Sequence, residues 1–178
     1  MGKTINKRNI LIIITMALAI ATSIFILVQA GFDANKSTQQ SGMVVEVVET
    51  VVETVAPGTI TEANHDAFAG AIRKIVGHFL LFSVAGFFAT WTILLLFEKK
   101  LYKSKLWFLN VLVPLIYGIS LASISEVMQL FAKDRSGEFR DVIIDFGGYS
   151  LGFFIIFFIL ILVFQRNTVK NKTETKEE

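Results

Sequence analysis

The sequence predicts an all-α integral membrane protein with four transmembrane helices and an amphipathic helix in the long loop after the first. Apolar residues make up 53% of the 178-residue chain, and the mean hydropathy is +0.62. Four apolar stretches each approach the roughly 20 residues that a membrane-spanning helix needs. The absence of cysteine excludes disulfides, thiolate metal sites and a cysteine nucleophile. No nucleic-acid-binding pattern is present, so nucleic acid is not an expected partner.

The predicted spans are residues 9–29, 75–97, 106–131 and 142–164. Pro114 lies inside the third span and is expected to kink it. The first span has a second interpretation as a cleaved signal peptide, because basic residues precede it and Val28-Gln29-Ala30 resembles a cleavage site. Its apolar core of about 19 residues exceeds the usual ~7–15 of a signal peptide. We therefore favour a retained helix.

The distribution of basic residues predicts the orientation. Segments 1–8 and 98–105 and the charged tail 166–178 together hold eleven of the 17 lysines and arginines. Basic residues concentrate on the cytoplasmic side of a membrane. This asymmetry predicts a multi-pass protein of the cell membrane with both termini in the cytoplasm. The loop 30–74 and the polar run 126–145 would then face outward.

The outer loop 30–74 is too long for a simple connection. Its first part, 33–42, is polar and is expected to be irregular, whereas 43–56 is rich in valine and ends before a Pro-Gly breaker. On a helix the glutamates of this segment share one face, which predicts an amphipathic helix at the membrane interface or against the bundle. The valines also suit a β-strand. We favour the helix, because the glutamates would alternate between the two faces of a strand.

Polar residues near the outer helix ends have helical spacing. Lys74 and His78 are four residues apart, and Glu126 and Gln129 are three apart, so each pair shares a helix face. The fourth span has a single stripe at positions i, i+4, i+7 and i+11, formed by Asp141, Asp145, Gly148 and Gly152. The two glycines form a G-x-x-x-G pattern, which permits close approach of another membrane helix. We therefore expect this stripe to bring the aspartates into the bundle.

These polar residues also resemble a known family. The residues that carry this resemblance are Arg73, Lys74, His78, Phe79, Glu126, Gln129, Phe131, Arg135, Asp141, Asp145 and Gly148. Their order along the chain is similar to that of the VanZ-like family. These are bacterial membrane proteins whose named member is associated with resistance to the glycopeptide teicoplanin. Phe25 and the polar segment 36–41 also fit the resemblance, which implies one VanZ-like transmembrane domain over residues 9–165. A cytoplasmic segment 1–8 would precede this domain, and the tail 166–178 would follow it.

Two positions depart from the family's usual pattern. Many relatives have a serine two residues before Gln29, where this chain has Leu27. Many also have an acidic residue and a tyrosine after the His-Phe pair, where this chain has Leu81 and Phe82. Roles that these groups fill in relatives do not carry over to this chain.

Ionisable side chains inside a membrane are energetically costly, so they usually mark a functional site. The candidate binding residues are Lys74, His78, Glu126, Gln129, Arg135, Arg140, Asp141 and Asp145. Guanidinium groups suit phosphate, which points to Arg135 and Arg140 as contacts for an anionic head group. The alternative is a structural network of ion pairs that ties the helix ends together without chemistry.

Two functional classes remain open at the level of sequence. The favoured one is a cell-envelope protein that binds a membrane lipid or a lipid-linked cell-wall precursor and contributes to teicoplanin-type tolerance, with a homo-oligomer left open. The other is an enzyme acting on a lipid-linked phosphate, with His78, Glu126 and Asp145 as candidate catalytic groups. No cofactor is required by the sequence. The same three residues are weak candidates for holding a divalent cation.

Overall fold

The chain forms a helical bundle in this computed structural model. The structure describes residues 6–101 and 108–177, with side chains except at 98–101, 161 and 164–177. The elements are α1 (Lys7–Ala30), α2 (Ala34–Val55), α3 (His65–Arg73), a π-helical segment (Lys74–Leu80), α4 (Leu81–Leu101), α5 (Leu109–Gln129) and α6 (Phe139–Glu177). Over these residues every element is helical and no strand forms, which confirms the prediction of an all-α fold.

Four helical stretches are long and apolar enough to cross a membrane. They are Lys7–Ala30, His65–Phe97, Leu109–Gln129 and Phe139–Leu160. The second is continuous through α3, the π segment and α4, so this helix begins ten residues earlier than the predicted span. The fourth begins three residues earlier than predicted. Only a minority of each stretch is buried in the isolated chain, which leaves wide apolar faces suited to lipid.

The four membrane-spanning stretches alternate in direction along the chain. Arg8, at the start of α1, donates from Nη2 to the carbonyl of Leu95 near the end of α4 at 2.5 Å, so these helices are antiparallel. Helix α1 packs against α4 and α5, and α6 packs against the same two helices. The hydroxyls of Ser23 and Tyr117 lie 2.8 Å apart and join α1 to α5. Helix α5 continues through its buried Pro114.

Helix α2 corrects one prediction. The polar segment 33–42 was expected to be irregular, but helix begins at Ala34 and continues to Val55. Asp33 caps it, since its carboxylate accepts from the backbone N–H of Lys36 at 2.8 Å. The backbone N–H of Ala34 also donates to the carbonyl of Lys133 at 3.1 Å. The start of α2 is thereby fixed to the α5–α6 turn, at the end of the bundle that we call the α2 end.

The connection from α2 to α3 is a turn that side-chain hydrogen bonds hold in place. Gly58 has a φ of 79°, which a glycine adopts without strain. The carboxylate of Glu53 accepts from the backbone N–H groups of Gly58 and Ile60, both at 2.7 Å. These two bonds stabilise the charged form and hold the pKa of Glu53 below its ordinary value. Helix α3 then packs against α2 and forms the start of the second membrane-spanning stretch.

Candidate functional site

The last turn of α5 supplies two buried polar side chains. Glu126 and Gln129 are each 4% exposed. The side-chain amide of Gln129 donates to Oε1 of Glu126, as expected for residues one turn apart. The other oxygen, Oε2, accepts from the backbone N–H of Glu138 at 3.1 Å. The Glu126 carboxylate therefore joins the end of α5 to the start of α6.

The turn between α5 and α6 is tight because of one glycine. A Cβ on Gly137 would collide with the backbone carbonyl of Glu126 and crowd the side chain of Leu130. Glycine at this position lets the chain return closely enough for residue 138 to reach Glu126. The same turn carries Arg135, which donates from Nη2 to Oε1 of Gln129 at 2.6 Å.

The π segment and α6 meet through two polar pairs. Lys74 donates to Oδ1 of Asp141 at 2.5 Å, and Nδ1 of His78 lies 3.0 Å from Oδ1 of Asp145. The sequence separation is 67 residues in both pairs, which is possible only when the two helices run parallel. Asp145 is fully buried, and its second oxygen lies 3.4 Å from the hydroxyl of Ser125. Each carboxylate oxygen of Asp145 therefore has a polar neighbour.

Glycines permit this close approach of α6. A Cβ on Gly148 would overlap the backbone of Phe79, and one on Gly152 would overlap that of Ser83. On the opposing helix, a Cβ on Gly86 would overlap the backbone of Tyr149. Small residues on both partners let the backbones touch directly. The glycine stripe thus lies against the π segment and α4, beside the His78–Asp145 pair.

Three titratable side chains converge at the α2 end. His78, Glu126 and Asp145 each offer one ligand atom, and these atoms lie within 4.8 Å of one another. One imidazole and two carboxylates from three helices suit a zinc or manganese ion. Without a metal, the aspartate fixes the orientation and tautomer of the imidazole, as in acid–base sites. The cluster can therefore either hold a cation or exchange a proton.

A cavity of about 370 Å³ lies over this cluster. Its polar lining includes Gln29, Ser37, Gln40, Ser41, Arg73, His78, Ser125, Gln129, Arg135 and Asp145. Its apolar lining includes Phe25, Ile26, Val44, Ile72, Val76, Leu81 and Phe82. A site with both kinds of wall suits an amphipathic ligand with a charged end.

The predicted site residues divide into two groups. His78, Gln129, Arg135 and Asp145 line the cavity. Glu126 lies behind it in contact with Gln129, while Lys74 and Asp141 pair with each other outside the lining. Arg140 is exposed and does not line the cavity. The structure therefore brings fewer residues together at the cavity than the sequence predicted.

Sequence reasoning missed the contributions of α1, α2 and α3 to the cavity. The α2 residues Ser37, Gln40, Ser41 and Val44 have the i, i+3, i+4, i+7 spacing of one helix face. This spacing could have been found, but the interpretation of 33–42 as irregular concealed it. Arg73 and Gln29 appeared only within the family resemblance and a signal-peptide motif. Their proximity to the cluster follows from packing, which no spacing in the sequence reveals.

Comparison with known protein families matched residues 11–163 to the family described as VanZ/LLP1. This match covers nearly the whole chain and includes every residue of the cavity and the cluster. Comparisons with curated proteins and with solved structures gave no match.

Proposed function

Because this chain belongs to the VanZ-like family of membrane proteins, we propose that its cavity recognises the anionic head group of a membrane lipid or lipid-linked cell-wall precursor. The observation that carries the proposal is that one part of the cavity wall is polar and another part is apolar. Arg73, Arg135 and His78 supply cationic or hydrogen-bonding groups. Phenylalanine, valine and leucine side chains supply an apolar wall for the adjoining part of the lipid.

Arg135 is well placed to hold a phosphate. Its guanidinium is already oriented by Oε1 of Gln129 at 2.6 Å and by the carbonyl of Gln29 at 3.4 Å. Both partners are neutral acceptors, so the positive charge of Arg135 is not cancelled by them. A guanidinium fixed in this way loses little freedom when it binds phosphate. Through such binding the protein would alter access to envelope precursors and contribute to glycopeptide tolerance.

The first experiment identifies the lipid. Protein purified in mild detergent is analysed by native mass spectrometry for lipids that remain bound. We expect a bound phospholipid or undecaprenyl species in the parent and a loss of about ten-fold or more in Arg135→Gln, as a charge-assisted hydrogen bond contributes about 1.5–3 kcal/mol. Arg140→Gln is the matched control, since Arg140 is exposed outside the cavity. Equal retention by all three proteins would contradict the proposal.

A second experiment tests the cellular role. Parent and Arg135→Gln proteins are expressed to equal membrane levels in a teicoplanin-susceptible host. We expect the parent to raise the inhibitory concentration and the variant to lose that effect. If the parent leaves the inhibitory concentration unchanged, the proposed contribution to glycopeptide tolerance is wrong. This result would not bear on lipid binding, which the first experiment tests.

Catalysis on a lipid-linked phosphate is the second candidate function. The observation that favours it is the His78–Asp145 pair at 3.0 Å with Glu126 beside it. An imidazole oriented by a carboxylate can transfer protons, and the same three groups can hold a divalent cation. The test is phosphate release from undecaprenyl diphosphate with Mg²⁺, Mn²⁺ or Zn²⁺ added. Release that His78→Ala abolishes would support catalysis, and no release in any condition would support binding alone.

A further inference from the structure

Two buried polar atoms in the cavity have no hydrogen-bond partner among the residues that the structure describes. They are Nε of Arg73, a donor, and Oε1 of Gln29, an acceptor. Both residues line the same cavity, one from α3 and the other from the end of α1. A buried donor or acceptor without a partner is uncommon and costs about 1–3 kcal/mol. A donor and an acceptor that both lie in the wall of one cavity can be satisfied together by a ligand bound there.

Two other side chains of the cavity that could bind an anion, those of Arg135 and His78, already have partners. Arg135 donates to Gln129, and His78 lies against Asp145. The Arg73 side chain has neither a hydrogen bond nor an ion pair with any other residue that the structure describes. Lys74, its neighbour in sequence, is directed to Asp141. Arg73 is therefore a second cation of the cavity, beside Arg135, whose charge is available to a ligand.

The two atoms require two different groups on one ligand, an acceptor for Arg73 and a donor for Gln29. A guanidinium binds phosphate oxygens and prefers to do so through two parallel N–H groups. A carboxamide oxygen needs an N–H or O–H donor. A fully ionised phosphate monoester with no further polar group satisfies only the first requirement. A phosphodiester or diphosphate whose polar substituent carries a hydroxyl, amine or amide N–H satisfies both.

We infer that Arg73 binds the phosphate, and Gln29 a hydrogen-bond donor on the polar substituent, of a lipid head group. This inference rests on the proposed function and deepens it by naming the class of head group. Phosphatidylglycerol and a lipid diphosphate that carries an amino sugar both belong to this class. The apolar side chains of Val76 and Leu81 in the same wall face the part of the ligand nearest its acyl or prenyl chain.

The test compares two lipids with the same charge and the same acyl chains. Phosphatidylglycerol carries hydroxyl donors, whereas phosphatidylmethanol ends in a methyl group. Each is titrated into detergent-solubilised parent protein, and binding is followed by native mass spectrometry. We expect about 3- to 10-fold tighter binding of phosphatidylglycerol, the ratio that one neutral hydrogen bond supplies.

Two variants separate the two contacts. Gln29→Leu should bind both lipids with the affinity that the parent has for phosphatidylmethanol. The reason is that this variant loses only the acceptor that the head-group hydroxyl would use. Arg73→Gln should weaken both lipids by about ten-fold or more and leave their ratio unchanged. Arg73 has no partner among the described residues, so Arg73→Gln should not lower the melting temperature. Arg140→Gln should bind both lipids as the parent does.

The outcomes are distinguishable. One outcome is that the parent binds both lipids equally and that Arg73→Gln binds both more weakly. This would overturn the contact between Gln29 and a donor on the head group, but it would support the proposed head-group site. Unchanged binding in Arg73→Gln would overturn the role of Arg73. Binding of neither lipid by the parent would overturn the phospholipid as ligand. A third arm adds undecaprenyl diphosphate bearing one N-acetylhexosamine: displacement of phosphatidylglycerol would assign the site to the cell-wall precursor, and no displacement to the phospholipid.

Discussion

The contact between Gly148 and Phe79 offers a sharp test of how α6 is positioned. A Cβ built on Gly148 would lie 2.9 Å from Cα and 2.8 Å from the carbonyl carbon of Phe79, and closer still to the carbonyl oxygen. These are backbone atoms, so no side-chain rotation can relieve the overlap. To restore ordinary contacts with all three atoms, α6 and the π segment would have to separate by about 1 Å or more.

The cost of Gly148→Ala follows from that separation. Overpacking a close contact typically costs about 1–3 kcal/mol. The His78–Asp145 pair, at 3.0 Å, spans the same interface and would lengthen to about 4 Å, beyond hydrogen-bond range. For a chain of this size, 1 kcal/mol corresponds to a shift in melting temperature of about 2–4 °C. We therefore expect the variant to melt about 2–12 °C lower, with reduced lipid binding.

The matched control is the preceding glycine. Gly147 is exposed, and the nearest atom to a Cβ there is Cε2 of Phe79 at 3.8 Å, an ordinary contact. Gly147→Ala should leave the melting temperature unchanged or raise it slightly, since alanine stabilises helices by up to about 1 kcal/mol over glycine. Melting is followed by tryptophan fluorescence in detergent. If Gly148→Ala and Gly147→Ala melt together, α6 does not pack through Gly148 and the reasoning is refuted.

Three further predictions concern other parts of the chain. Tyr117→Phe removes the hydrogen bond to Ser23 and should lower the free energy of unfolding by about 0.5–1.5 kcal/mol; an unchanged denaturation midpoint would argue against that bond. Because the pKa of Glu53 is lowered in the folded chain, its bonds to two turn amides should persist as pH falls past the ordinary glutamate value and be lost only below it. An NMR titration of those amides that shows an ordinary or higher midpoint would contradict this. The basic-residue asymmetry predicts that an impermeant maleimide labels Gln39→Cys but not Lys172→Cys in intact cells, and labelling of the second alone would reverse the orientation.

Hydropathy was sufficient to predict the four membrane-spanning stretches. A run of about 20 apolar residues has few alternatives to a spanning helix, because unpaired backbone groups are costly in lipid. Helix boundaries were predicted less well where caps and turns decide them. The start of α2 depends on the Asp33 cap, and the start of α6 depends on a turn that brings residue 138 to Glu126. The first is a local cap and the second is a contact between two helices, and a hydropathy pattern contains neither.

The cluster of His78, Glu126 and Asp145 could be anticipated, since charged groups in apolar helices turn toward one another. The cavity could not. Arg73 and Lys74 are adjacent in sequence, yet one lines the cavity and the other pairs with Asp141 outside it. Adjacent residues on a helix lie about 100° apart around its axis, so the packing of the neighbouring helices decides which of the two faces the cavity. The side on which each residue lies therefore needed the structure.

The π-helical segment Lys74–Leu80 also bears on how such chains change length during evolution. A π turn accommodates about one residue more than an α turn, so it is equivalent to a single-residue insertion absorbed within a continuous helix. Deleting one residue between Arg73 and His78 would restore α-helical geometry without breaking the helix. The deletion would leave the residues before it on nearly the same side of the bundle, because the extra residue had been absorbed within a single turn. Among related sequences, a one-residue gap at this point should therefore be compatible with retention of both Arg73 and His78.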